Sequence, residues 1–356
     1  PYDVNAPGWH DNAVSQRFLA LPGDAMMTFT AKNAMDCPDG TVLMQTLSFN
    51  VGGDPASLKR VETRLLTRQD SEWSGYSYRW NDAQTDAELV NRDGDDWTWR
   101  DSEHVDSTKV WRLPSRAECM SCHSRAVGFT LGMSAPQLNR PSTDLPEMNQ
   151  LTRWAQLGLI SGVPVDLSKV SQLVNPYDAS LDLDRRARSY LHTNCSCCHV
   201  AAGGGNARMI MDEATDLAGM ELVSAFPQHD TFGLNNARIV APGDPESSIL
   251  YHRLNRRGSG QMPPLVTTHV DRQAVDNLRN LTLSGDQGRQ VSLASLADFK
   301  MSRGPRGIHR ENRKTMIGVT AGLNGITSNE ATPRIREALE RYEMPTGYTW
   351  DLGRSF

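Results

Sequence analysis

Two short phrases in this 356-residue chain carry chemistry: Cys119-Met-Ser-Cys122-His123, and 76 positions later Cys195-Ser-Cys-Cys198-His199. In each, two thiols spaced by two residues can add across the vinyl groups of a haem, while the adjacent imidazole is presented to the iron. The spacing therefore predicts two covalently bound haem c groups. Cys119, Cys122, Cys195 and Cys198 would form the thioethers, with His123 and His199 as proximal iron ligands. Downstream lies Gln261-Met262-Pro263-Pro264-Leu265. A Met in a proline-stiffened loop is the usual sixth ligand of an electron-carrying haem, so Met262 is assigned to the iron of His199. His/Met ligation raises the potential relative to bis-His and fills both axial positions, which favours outer-sphere electron transfer.

At the first motif the sixth ligand is not fixed by the sequence. Met133, Met148, His104 and His192 are candidates, with Met133 reading more naturally as packing against the porphyrin. An iron left five-coordinate could bind small ligands, and Glu118, Arg116 and Arg125 near the motif could then serve a dihaem peroxidase as acid/base groups. A zinc site built from the same cysteines is the competing reading, disfavoured because each CxxC runs directly into His. The two cysteines outside the motifs, Cys37 and Cys197, read as buried free thiols or as a disulfide pair, with Cys197 expected to point away from the porphyrin.

Composition bounds the setting. The formal charge of -5 makes nucleic acid an unsuited partner. The mean hydropathy of -0.51 goes with the absence of any apolar run of the roughly 18 residues that a membrane helix needs. The chain opens at Pro1 without a Met, as a mature or trimmed product would, and no signal peptide is present in it. Haem is attached to such motifs outside the cytoplasm, so a periplasmic location is expected.

The elements that must position these groups fall into three stretches. Residues 1–112 carry β-type runs at Thr41 to Phe49, Arg60 to Thr67 and Tyr76 to Trp80, separated by Gly, Asp and Pro turns. They also hold six of the eight tryptophans, Trp9, Trp73, Trp80, Trp97, Trp99 and Trp111, read as core. Residues 113–282 turn helical, with expected helices over Glu147 to Leu159, Asp184 to Asn194, from the Asp244-Pro245-Glu246 cap, and over Asp271 to about Asn280. The order helix, CxxCH, loop, helix, Met loop, helix is that of a small all-α cytochrome c domain. Residues 283–356 read as a small α/β segment, with strands around Gln290 to Phe299 and Met316 to Ala321 and a helix from Thr332. The expected architecture is thus multidomain: a β-rich N-terminal domain, a mainly α dihaem region and a C-terminal α/β segment.

Several phrases resemble a bacterial family of dihaem cytochrome c-like proteins that occur alone or fused behind β-propeller sugar dehydrogenase domains. They are Tyr2-Asp3-Val4-Asn5, Arg17-Phe-Leu-Ala-Leu-Pro22, Glu62-Thr-Arg-Leu65, Gly75-Tyr-Ser-Tyr-Arg-Trp-Asn-Asp82, Pro114-Ser-Arg-Ala-Glu-Cys119, Gln137-Leu-Asn139, Arg186-Ala-Arg-Ser-Tyr-Leu191 and Pro242-Gly-Asp-Pro245, in order from Tyr2 to about Leu281. The resemblance implies periplasmic electron transfer, with electrons taken from a quinoprotein dehydrogenase. Beyond it, Leu278 to Gly288, Val291 to Ala297, Arg310-Glu-Asn312 and Met344 to Trp350 resemble the porter region of resistance-nodulation-division efflux pumps. That second resemblance implies a transporter-associated, non-catalytic role as a third reading; efflux itself is not carried over, because the pump's proton-relay membrane helices are missing from the segment.

Overall fold

Alternation along the strands decides which residues face the motifs. In the computed structural model, β1 (Val14–Ala20), β3 (Val42–Asn50), β4 (Leu58–Gln69), β5 (Glu72–Trp80) and β6 (Ala87–Leu89) form an antiparallel sheet in the order β1-β3-β4-β5-β6, while β2 is the short strand Met27–Thr28. The register pairs Arg17 with Gln45, Gln45 with Arg64, and Arg64 with Ser77, and likewise Leu43 with Leu66 and Leu66 with Gly75. Directly paired residues share a face, so one side of the sheet presents Leu43, Gln45, Leu47, Glu62, Arg64, Leu66 and Gly75 together. The structure describes residues 1–32, 34–50, 57–100, 108–279, 282–284, 290–292, 309–311, 314–316 and 328–340.

A hairpin of β7 (Asp95–Arg100) and β8 (Thr108–Leu113) covers one end of that face. Leu47, Val61, Trp111 and Leu113 form its core, with Phe49 edge-on to Trp111 at 5.1 Å between ring centroids. Within it Glu62 is fully buried. Its carboxylate accepts from Arg64 Nε and an Arg64 terminal nitrogen, both at 2.9 Å, from Ser77 Oγ at 2.7 Å and from Trp111 Nε1 at 2.9 Å. Four donors satisfy a charge that would be prohibitive to bury alone.

Helices follow the sheet. α1 (Arg116–Cys122), α2 (Ala135–Leu138) and α3 (Gln150–Gln156) are short, and β9 (Ile160–Ser161) runs parallel to β2. Tyr2, Val4, Met27, Met133, Leu138, Leu151, Trp154 and Ile160 pack as one core, so the helices after β8 and the sheet share apolar contacts. α4 (Leu183–Cys195), α5 (Ile249–Leu254) and α6 (Arg272–Arg279) complete the helices before Thr282. Two short hairpins, β10 (Thr282–Ser284) with β11 (Gln290–Ser292) and β12 (His309–Glu311) with β13 (Lys314–Met316), and the helix α7 (Ser328–Glu340) follow.

Sheet and helices are both present, as expected. The chain divides into two compact units, Pro1–Phe299 and Lys300–Phe356. The boundary set at 112 falls inside β8 and that set at 282 inside β10. α7 begins at Ser328 rather than Thr332, because Glu330 and Ala331 carry the helix back past Pro333, and Ile335 is 42% exposed. Most of the two expected C-terminal strands lies outside the described residues. No helix among the described residues is long and apolar enough to cross a membrane.

Candidate functional site

The first motif sits on α1. Ser115 caps it: its hydroxyl accepts from the Glu118 backbone N–H at 3.0 Å, and the Glu118 carboxylate accepts in return from the Ser115 N–H at 2.7 Å. The helix packs against the sheet at Gly75, where an added Cβ would stand 2.6 Å from Cys119 Cβ and 3.0 Å from its sulfur. His123 closes the helix, its N–H bonding back to Cys119 O at 3.0 Å. The ring's Nδ1 lies 2.6 Å from the carbonyl of Phe129, which leaves Nε2 as the ligating nitrogen. Burial, ahead of the raising effect of that carbonyl, lowers the His123 pKa, so the imidazole is neutral, as a ligand must be. Beside these groups opens a cavity of about 270 Å³, lined by Cys119, Cys122 and His123 together with the Leu43, Arg64 and Gly75 face of the sheet.

The second motif ends α4, which Asp182 caps by accepting from Arg185 N–H at 3.0 Å. Cys198 N and His199 N both bond back to Cys195 O, at 3.1 and 2.9 Å. The glycines that follow are required by proximity: a Cβ on Gly203 would lie 2.3 Å from Cys198 O, and one on Gly205 would lie 2.7 Å from His199 Nδ1. His199 is buried and its Nδ1 has no hydrogen-bond partner among the described residues. Burial, partly opposed by the charge of Cys198, lowers its pKa.

The two motifs converge. The Sγ atoms of Cys122, Cys197 and Cys198 lie within 4.8 Å of one another. Cys197 therefore turns toward the first motif and lines its cavity. It forms no disulfide with Cys37; all six cysteines are free thiols, and Cys37 is buried in the Tyr2 core. Hydrogen bonding with Cys122 and Cys197 lowers the Cys198 pKa, and hydrogen bonding with Cys122 and Cys198 raises that of Cys197.

Met262 lies in an apolar group that adjoins that of Cys195, with Leu250 packing against both. It packs with Tyr190, Leu254, Ala274 and Val275, whereas Cys195 packs with Leu191, Met211, Met220, Leu222 and Ile239. Met262 N bonds to Arg253 O at 3.0 Å, and the charge of Arg253 acts on His199. Met211 N bonds to His199 O at 2.8 Å, so a second thioether lies close to the motif.

Among the candidates for the first site, Met133 is fully buried in the Tyr2 core, Met148 lines a separate surface groove, and His104 lies outside the described residues. His192 lines the cavity, its Nδ1 accepting the Glu213 N–H at 3.1 Å. Glu118 is held by Arg112 at 2.8 Å; burial would raise its pKa, but Arg112 and the cap outweigh it and the net shift is downward. Arg116 stacks over Tyr76 at 4.8 Å, and Arg125 is exposed.

Sequence reasoning passed over His10, Gly203 and Gly205. The glycine run directly after the second motif was the available signal for the last two. No family model, curated protein or solved structure matches the chain.

The donor set at each motif suits a covalently held haem: paired free thiols and a neutral imidazole with an unligated nitrogen. Cys119, Cys122 and His123 would hold one group, and Cys195, Cys198 and His199 the other.

Proposed function

We propose that this chain is a periplasmic dihaem c-type cytochrome that carries electrons by outer-sphere transfer, taking them from a quinoprotein dehydrogenase and passing them to a downstream acceptor. The observation that carries the reading is the approach of Cys122 and Cys198, anchoring thiols from motifs far apart in sequence, to within 4.8 Å of each other. Attachment points that close suit internal electron passage between two carriers. Haem bound at these thiols supplies reversible one-electron chemistry at iron, with a potential set by the axial ligands and the burial around them.

The chain's own residues do the rest. Phe129 O orients His123, and the sheet face from Leu43 to Gly75 lines the cavity beside it. At the second site Met262 is the proposed sulfur donor, delivered by a loop that Gln261 braces by donating to Pro263 O at 2.9 Å and Thr267 O at 3.1 Å. Glu118, the acid/base group that a peroxidase would use, is instead committed to the Arg112 ion pair and the Ser115 cap, which counts against peroxidase chemistry. The third reading, a transporter-associated subunit, rests only on the segment after about Leu278.

A spectroelectrochemical titration tests the proposal. Two reversible one-electron waves per chain are expected; catalytic peroxide turnover at a five-coordinate iron would overturn it.

A further inference from the structure

We infer that Arg17 receives a propionate carboxylate of the haem anchored at Cys119, Cys122 and His123. The inference rests on the dihaem reading and adds to it the direction in which that haem lies across the sheet.

The guanidinium of Arg17 is a buried charge with too few partners. Its side chain is only 10% exposed, yet its one hydrogen bond among the described residues runs from Nη1 to Asp3 Oδ1, at a long 3.3 Å. Asp3 is itself shared, because Arg140 Nη1 lies 3.1 Å from its other oxygen. Two guanidiniums thus divide one carboxylate, and Nε and Nη2 of Arg17 are left without an acceptor among those residues. Burial lowers the Arg17 pKa, and the charge of Asp3 does not fully offset it. A second carboxylate would supply the missing acceptor and balance the buried charge.

The sheet shows where such a carboxylate comes from. Gly75, on β5, meets Cys119 and so marks the thioether edge of the porphyrin. A haem's propionates leave from the edge opposite its thioether-forming vinyl groups. In the strand order β1-β3-β4-β5, Arg17 on β1 stands three strands from β5, about 14 Å at the usual spacing between neighbours. Arg17 pairs with Gln45 and Gln45 with Arg64, so Arg17 shares the inner face and borders the cavity of the first motif.

The other basic groups on that side are otherwise engaged. Arg64 gives Nε and Nη2 to Glu62 and sits one strand from β5, at the thioether end. His10 is neutral: burial, aided by the charges of Arg64 and Arg17, lowers its pKa to about 3. Arg17 also borders an open recess of about 970 Å³, through which a small free anion could reach the same guanidinium.

The test uses the full-length holoprotein and reads both haem potentials against pH. Arg17→Met and Arg17→Gln remove an under-paired buried charge, so both variants should fold with two haems. Each should lower one potential and leave the other in place. The lowered potential should climb again as pH falls through the neutral range, because a carboxylate without its cation gains a proton at higher pH. Arg17→Lys should keep the wild-type profile. Haem labelled with 13C in its propionates gives a second readout: a carboxylate infrared band should shift in Arg17→Gln. The inference is overturned if both neutral variants keep the wild-type pH profiles, or if the labelled band stays where it is. It is also overturned if acetate or phosphate shifts a wild-type potential saturably and only while Arg17 is present, since the occupant would then be a free anion. A wild-type haem count below two would instead overturn the dihaem reading, and is measured separately on the same sample.

Discussion

Gly75 and Cys119 touch so closely that β5 and α1 could not pack as they do with any side chain at residue 75: the added Cβ would stand 2.6 Å from that of Cys119. The contact seats the first motif on the inner face of the sheet. It also brings the β-rich stretch into the site.

Gly75→Val should therefore displace α1 and impair thioether formation at Cys119 while leaving the second motif intact. Haem content should drop from two to one per chain, with the remaining peptide-bound haem mapping to Cys195 and Cys198. Retention of both haems would show that α1 can shift without loss of attachment.

Glu62 offers a stability test. Removing it in Glu62→Ala leaves Arg64 buried without its partner and strips an acceptor from Trp111, so unfolding free energy should fall by about 3–5 kcal/mol. Denaturant titration monitored by tryptophan fluorescence checks this. A loss under about 1 kcal/mol would mean that the network is compensated by water.

The link between Asp11 and the Thr268-His269 backbone predicts a pH dependence. Burial works to raise the Asp11 pKa, but hydrogen bonds from His269 and Thr268 outweigh it and the folded value is depressed. A group with a depressed folded pKa stabilises above its unfolded value and loses that contribution as pH falls through the folded one. Stability should thus decline below about pH 4, and Asp11→Asn should flatten the decline. Thermal unfolding of the two proteins between neutral and acid pH would show it; parallel curves would remove Asp11 from the account.

At the second site, Met262→Ala should abolish the sulfur-to-iron band of the oxidised protein and lower one potential, whereas Met211→Ala should preserve both. The reverse pattern would move the ligand to the methionine bonded through its backbone to His199.

Much of this was legible in the sequence, and the reasons are local. The runs around Thr41 to Phe49 and Tyr76 to Trp80 are rich in β-branched and aromatic residues, and they form β3 and β5. The stripe of α4 and its Asp182 cap fix a helix that enters the second motif, within a residue of expectation at each end. Ser115 and Glu118 have capping-box spacing and the box forms, although no helix was expected over Arg116–Cys122. The partners that arrive from a distance were hidden. Nothing near His10 announces that Gln45 lies beside it, and the approach of Cys122 to Cys198 depends on how α1 and α4 pack, which no spacing along the chain encodes. The expected helix over Glu147 to Leu159 shrank to Gln150–Gln156 because Asn149 caps it and Gly158, at φ 70°, ends the turn.

The most direct test of the central claim is a pyridine haemochrome assay of the purified chain, paired with zinc analysis, after expression with a periplasmic leader and the haem-attachment machinery. The account predicts two covalent haems per polypeptide and no zinc. A colourless chain holding zinc on the Cys122, Cys197 and Cys198 thiols, or one with a single haem, would contradict it.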